Sequence, residues 1–379
     1  MSINYCEKER VFTLQTQNAT YQMIVDSHGY LLHCYYGAKI ERQNLSYCIQ
    51  PQDRGFAANP PDAAGDRTLS PDTLPQEYST FGVGDFRESC LDVRDKNGGV
   101  AADLRYGSYR IYPGKKPLNG LPAAYGNEKD VDTLEIDLRD KVSGLVVTLR
   151  YSVFAQWDVI ARSAEIFNRG TGVLILERAL SCCLDEPVPA SRDILTFYGR
   201  HMGERNLERM PLRHGKFRVD SMRGASSPHY NPFVILCDSA ATETAGNCWA
   251  FSLVYSGNFI AQAEVDQIDT LRFVMGIAPQ NFSWELKPGA SFQAPEVLLC
   301  FSDYGFDALS NRLNGFQMQH LVRGKYRTER CPILVNNWEA TYFDFDEERL
   351  LALAREAKEV GIEMLVLDDG WFGERNDDT

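Results

Sequence analysis

From the N-terminus to about residue 300, apolar and polar positions alternate with a period of two, the pattern that places apolar side chains on one face of a strand. Leu134, Ile136 and Leu138 alternate with Glu135 and Asp137; Val147, Leu149, Tyr151 and Val153 alternate with Thr148, Arg150 and Ser152; Trp249, Phe251, Leu253 and Tyr255 form a further set. Turn formers stand between such runs, at Asn97-Gly-Gly99, Asn168-Arg-Gly170 and Ser256-Gly-Asn258, where the chain can reverse. Short strands interrupted this often predict a large antiparallel sandwich rather than alternating β and α units.

One stretch breaks the rhythm. Pro51 to Arg87 holds five prolines with many Asp, Gly and Ser and has no strand pattern before Tyr78. A loop of that length in a compact domain needs a functional or interfacial reason, and Phe56, Tyr78, Phe81 and Phe86 argue against disorder.

After the run Val297 to Phe301 the period changes. Phe306, Leu309, Leu313 and Phe316 recur at helical spacing with Gly324 beyond them, which predicts an amphipathic helix over 304–323 acting as an interdomain connector. A new pattern follows: an apolar run at Ile333-Leu-Val335, a helix with Leu350, Leu353, Ala354 and Ala357 inward, and a second run at Met364-Leu-Val-Leu367. This is a β-α-β unit, with Asp344 or Asp346 capping the helix start and Gly361 its end. Two parallel strands and one helix cannot cover their own faces. The expectation is therefore a domain cut at Thr379, with an exposed apolar face on 331–379 and a tendency to aggregate.

The 379 residues exceed the roughly 150 of one average domain. At 44% hydrophobic and 24% charged, disordered and collagen-like classes are out. The net charge of −13 repels phosphate backbones and anionic membrane surfaces, which removes nucleic acid and membrane as expected partners. No window approaches the about 18 apolar residues of a spanning helix, and Met1 to Arg10 is polar; a cytoplasmic protein is expected. The ten cysteines are scattered without a CxxC, as expected of reduced, mostly buried thiols. The six histidines show no metal spacing, and neither a Gly-rich phosphate loop nor a GxSxG is present, so neither metal nor cofactor is expected.

The chemistry is sought at the end of the second apolar run, Asp368-Asp-Gly-Trp371, because parallel β/α folds bind ligands at the carboxyl ends of strands. Adjacent strand residues point to opposite faces, so both carboxylates reach one ligand only if the strand is already turning, which Gly370 allows. The same four residues also read as a solvated turn. Asn336, Asn337 and Trp338 close the first strand at the corresponding level, adding amide hydrogen bonders and an aromatic plane. Carboxylates, amides and an indole suit a sugar; Trp338 also reads as a core aromatic of a barrel.

Asn336-Asn-Trp-Glu-Ala-Thr-Tyr-Phe-Asp344, Leu367-Asp-Asp-Gly-Trp-Phe-Gly373 and Arg375-Asn-Asp-Asp-Thr379 resemble glycoside hydrolase family 36, the α-galactosidases. Pro51-Gln-Asp-Arg-Gly-Phe56, Asp72-Thr-Leu-Pro-Gln-Glu-Tyr78 and Gly84-Asp-Phe-Arg87 resemble the N-terminal domain of that family, so the likeness runs along essentially the whole chain. The resemblance implies a multidomain β plus α/β protein: a large antiparallel β-supersandwich over 1–302, a helical linker over 303–330, and the truncated start of a (β/α)8 TIM barrel over 331–379.

The resemblance also implies roles. Asp368 and Asp369 match the pair that binds galactose hydroxyls, and Trp338 the aromatic lining that subsite. Asp53 matches a residue that tetrameric members lend to a neighbouring subunit's site. His201, in Gly199-Arg-His-Met-Gly-Glu-Arg205, stands where many members carry a tryptophan, as a substrate contact or simply an exposed loop histidine. A retaining glycosidase needs two carboxylates about 5–5.5 Å apart. In the family both lie on later barrel strands, so Asp368 and Asp369 are read as binders and the chain alone is expected to be inactive. The implied function is the N-terminal part of a cytoplasmic retaining α-galactosidase, a homo-tetramer acting on melibiose- and raffinose-type α-galactosides. The alternatives are an α-N-acetylgalactosaminidase or raffinose synthase relative and, in a different class, a non-catalytic sandwich for sugar binding or oligomerisation.

Overall fold

The computed structural model describes residues 2–54, 59–63, 65–186 and 191–373 and divides into two compact units, Met1–Leu321 and Val322–Thr379. Among the described residues the first unit begins with β1 (Ile3–Cys6), β2 (Val11–Gln15), β3 (Ala19–Val25), β4 (Leu31–Ala38), β5 (Leu91–Asp95), β6 (Arg105–Pro113) and β7 (Asp132–Arg139). It continues through β8 (Leu145–Phe154), β9 (Val159–Asn168), β10 (Leu174–Glu186), β11 (Arg192–Arg200), β12 (Gly203–Pro211), β13 (Gly215–Ser221) and β14 (Tyr230–Asp238). Its last strands are β15 (Cys248–Val254), β16 (Phe259–Val265), β17 (Leu271–Ile277), β18 (Trp284–Leu286), β19 (Ser291–Gln293) and β20 (Glu296–Ser302). A four-stranded meander β1-β2-β3-β4 accompanies a six-stranded sheet ordered β13-β16-β17-β10-β18, with β5 beside β10. The largest sheet has ten strands, β12-β11-β14-β15-β20-β9-β8-β7-β6, with β19 beside β9.

The alternating sets make the core as expected. Leu134, Ile136 and Leu138 of β7 stand opposite Tyr151, Leu149 and Val147 of β8, and all six are buried. Trp249, Phe251 and Leu253 of β15 face Phe301, Leu299 and Val297 of β20. Phe251 then meets Phe273 of β17 with ring centroids 4.3 Å apart, joining the ten-stranded sheet to the six-stranded one. Burying one such side chain is worth about 1.5–3 kcal/mol. Asn168-Arg-Gly170 and Ser256-Gly-Asn258 make the reversals from β9 to β10 and from β15 to β16.

The long segment between β4 and β5 contains two 3-10 turns and no strand among its described residues. Tyr78 is buried, Phe81 and Phe86 are exposed, and Phe56 lies outside the described residues. Buried charge holds it in place. Glu77, 0% exposed, pairs with Arg162 of β9 at 2.8 Å and His33 of β4 at 3.2 Å, and accepts from the hydroxyls of Tyr21 and Tyr151 at 2.5 and 2.7 Å. Burial pushes the Glu77 carboxyl up, but the Arg162 guanidinium and the His33 hydrogen bond overcome it, and the net shift is downward. Further along, Asp85 pairs with Arg87 and with Arg272 of β17, each at 2.9 Å, and the Gln76 N–H donates to Asp185 of β10 at 2.9 Å.

Helix α1 (Gly305–His320) follows β20, within the span expected from periodicity. It packs on the sandwich through Leu309, Leu313 and Phe316. These residues join Leu298 and Cys300 of β20, which alternate with the core-facing Val297, Leu299 and Phe301, so α1 covers the opposite face of the large sheet. Phe316 meets Phe154 edge-on at 4.8 Å.

The second unit is β21 (Leu334–Asn336), α2 (Trp338–Thr341), α3 (Glu347–Glu359) and β22 (Met364–Val366), with β21 and β22 parallel. Asp346 caps α3 by accepting from the Arg349 N–H at 2.9 Å. At its other end Gly361, at φ 87°, donates to Lys358 O while Ile362 donates to Ala357 O, the paired closure that a left-handed residue permits. Ala357 is buried, whereas Leu334, Leu351 and Met364 are exposed; the apolar face expected of an uncovered β-α-β unit is present.

Candidate functional site

The candidate site lies in the second unit, at the carboxyl ends of its two strands. In the parallel register Asn336 stands beside Val366, so Asn336-Asn-Trp338 and Asp368-Asp-Gly370 emerge at one level. Asn337 is fully buried. Its N–H donates to Val366 O at 3.2 Å, its side-chain oxygen accepts the Asp368 N–H at 2.7 Å, and its amide nitrogen donates to Thr341 Oγ1 at 2.9 Å. Asn336 Nδ2 donates to Asp368 Oδ2, and Asn336 Oδ1 accepts the Trp338 N–H at 2.7 Å.

The two carboxylates sit on a chain that is already turning. The Asp369 N–H donates to Asp368 Oδ1 at 2.8 Å, and the Gly370 N–H to Asp369 Oδ1 at 3.1 Å. Gly370 has φ 87°, and a Cβ there would meet Phe343 Cδ1 at 2.9 Å; any other residue would face both strain and collision. Asp368, Asp369 and Gly370 are half-buried. Trp338 is half-buried too, steadied by the edges of Tyr342 and Phe343, at 5.3 and 4.9 Å between centroids. An ionised carboxylate has about four acceptor positions, and each Asp uses only part of that set on local N–H groups. The arrangement can therefore accept hydrogen bonds from a polyhydroxylated ligand.

Asp368, Asp369 and Trp338 are thus brought together. Asp53 and His201 belong to the first unit. Asp53, its side chain 59% exposed, is paired with Arg67 at 2.9 Å. His201 is exposed in the turn from β11 to β12, its carbonyl accepting from the Arg200 guanidinium at 3.5 Å, next to Met202 at φ 61°. Arg375 to Thr379, and Gly55-Phe56 of the N-terminal motif, lie outside the described residues. The sequence places the asparagines beside the carboxylates, but the burial of Asn337 has no signal in it beyond a doubled Asn where an apolar run ends.

Comparison with known proteins gives concordant findings. The model described as glycosyl hydrolase family 36 N-terminal domain matches residues 29–287, and the model described as Melibiase matches residues 291–379. The chain is similar to the bifunctional alpha-galactosidase/sucrose kinase AgaSK of Mediterraneibacter gnavus, at 47% identity over 100% of this chain and 40% of that protein. It is also similar to alpha-galactosidase AgaA of Geobacillus stearothermophilus, at 47% identity over 100% of this chain and 52% of that protein. Among solved structures, the galactosidase domain of AgaSK superposes with a TM-score of 0.96, at 47% identity, covering 99% of this chain and 52% of that one. A variant of AgaA from Geobacillus stearothermophilus in complex with raffinose superposes with a TM-score of 0.93, at 47% identity, covering 97% of this chain and 51% of that one. The chain thus spans about half the length of the relatives it matches.

Proposed function

Because this chain belongs to glycosyl hydrolase family 36, we propose that it is the N-terminal part of a retaining α-galactosidase that removes terminal α-linked galactose from melibiose- and raffinose-type oligosaccharides. The observation that carries the reading is the juxtaposition of Asp368, Asp369 and Trp338 at the carboxyl ends of two parallel strands, held by the Asn336 and Asn337 amides. The similarity to an alpha-galactosidase structure containing raffinose supports the substrate class.

In this reading the two carboxylates accept hydrogen bonds from galactose hydroxyls, and the indole of Trp338 packs on the C–H face of the ring. Neither Asp is assigned as nucleophile or as acid/base, because retention needs a carboxylate on each side of the scissile bond and these two emerge side by side from one strand end. We assign those two roles to no residue of this chain, which by itself is inactive. The unit 331–379 is the opening of a (β/α)8 barrel. Asp53 serves a neighbouring subunit of a homo-tetramer, His201 contacts the substrate beyond the galactose, and the protein is cytoplasmic, consistent with ten free thiols.

The test is to express the protein from its complete reading frame and assay p-nitrophenyl α-galactoside with galactose as competitor. Hydrolysis with galactose inhibition is expected; hydrolysis of the α-N-acetylgalactosaminide instead, or no hydrolysis of either, would overturn the reading.

A further inference from the structure

We infer that Asn336 is a positioning residue that fixes the rotamer of Asp368 for sugar binding while making no contact with the sugar itself; this rests on the reading of Asp368 as a galactose ligand. A carboxylate at the end of a strand can rotate about two side-chain torsions, and ordering it on ligand arrival carries an entropic cost. Here that cost is met in advance. Asp368 is held at three points: its N–H by the interior Asn337 side chain at 2.7 Å, Oδ1 by the Asp369 N–H at 2.8 Å, and Oδ2 by Asn336 Nδ2.

The choice of amides has a physical reason. The position beside Oδ2 needs a donor for the carboxylate and, at the same time, an acceptor for the Trp338 N–H, which Asn336 Oδ1 meets at 2.7 Å. A Lys or Arg there supplies donors only, and its charge would hold the carboxylate in an ion pair that competes with hydroxyl donors; an Asp supplies acceptors only and repels it. An asparagine does both while staying neutral, so the negative charge remains available to the ligand. Asn336 thereby couples the orientations of Asp368 and of the Trp338 backbone, the two sides on which the ring would be held. Asn337 secures the same strand end from the interior, anchored by Thr341.

Asn337→Ala leaves an interior N–H without its acceptor, and that variant can fail to fold. The test therefore uses the exposed Asn336, in the protein expressed from its complete reading frame, with galactose as the probe. Kd is measured for the parent, Asn336→Ala, Asp368→Ala and the double variant, and thermal unfolding is recorded for each. A hydrogen bond to a charged group predicts that Asn336→Ala weakens galactose binding about tenfold with little change in Tm. If Asn336 acts only through Asp368, adding Asn336→Ala to Asp368→Ala has no further effect on Kd.

An Asn336→Ala affinity equal to the parent's would overturn the inference, as would an equal loss in both backgrounds, which would make Asn336 a direct sugar contact. If Asp368→Ala itself leaves galactose affinity unchanged, the galactose-subsite reading falls and this inference with it. A loss in Asp368→Ala with none in Asn336→Ala removes the positioning role alone.

Discussion

The first unit hides charge and the second displays it. In the sandwich, Glu77, Arg162, Asp85, Asp185 and Arg272 are almost wholly removed from solvent, and each is met by an opposite charge or several hydrogen bonds. In the β-α-β unit, Asp368 and Asp369 remain half-buried and accept from neighbouring backbone N–H groups and a neutral amide. Burying an ion is expensive unless the surroundings replace its hydration. A charge met inside by its partners can hold an irregular segment such as 72–88 in place, but it has little left for a ligand. A carboxylate kept at a turning strand end has less structural value and more chemical use.

The buried charge of the first unit depends most on Glu77. Glu77→Ala leaves the Arg162 guanidinium buried without its carboxylate, and a loss of about 3–5 kcal/mol is expected in urea unfolding. A loss under about 1 kcal/mol would mean that the segment is held by other contacts.

A smaller effect is expected at Glu88, where the same segment ends. Burial pushes this carboxyl up, but the hydrogen bond from Lys216 and the Arg178 charge outweigh it and bring it down to about 2 from 4.5. A carboxyl lowered in the folded state contributes stability that is complete above its unfolded value and is lost as pH falls through the folded one. Between about pH 4.5 and 2 the parent should therefore lose stability more steeply than Glu88→Gln; parallel acid-unfolding curves would contradict this. The smallest effect belongs to the second unit. Asp346→Ala removes the cap that accepts the Arg349 N–H, which should cost about 1 kcal/mol by urea unfolding; a loss rivalling that of Glu77→Ala would erase the contrast between the units.

What was legible in the sequence follows the range of the forces involved. Period-two alternation at Leu134, Ile136 and Leu138 announced a strand because it is local. The burial of Glu135 on the same strand was not legible: its neighbours Arg110, Tyr112 and Arg150 fold over it from adjacent strands. Arg162 looks like a surface residue until it meets Glu77, which lies 85 residues away in the chain. At the candidate site the Asp-Asp-Gly turn could be read from residue types, because Gly370 was needed for the turn. The division of labour between Asn336, facing the carboxylate, and Asn337, facing the interior, depends on a parallel register that the sequence does not spell out. His201 carries no pattern signal, and Asp53 carries only that of the proline-rich loop around it; the role of each follows from the resemblance alone.

If the displayed carboxylates, rather than the hidden ones, bind sugar, calorimetric titration of galactose into the protein expressed from its complete reading frame should separate the parent from Asp369→Asn, a substitution that removes the charge and keeps the shape. Binding by the parent and at least about a tenfold loss in the variant are expected, with unfolding unchanged to within about 0.5 kcal/mol. Equal affinities in the two proteins would contradict that role.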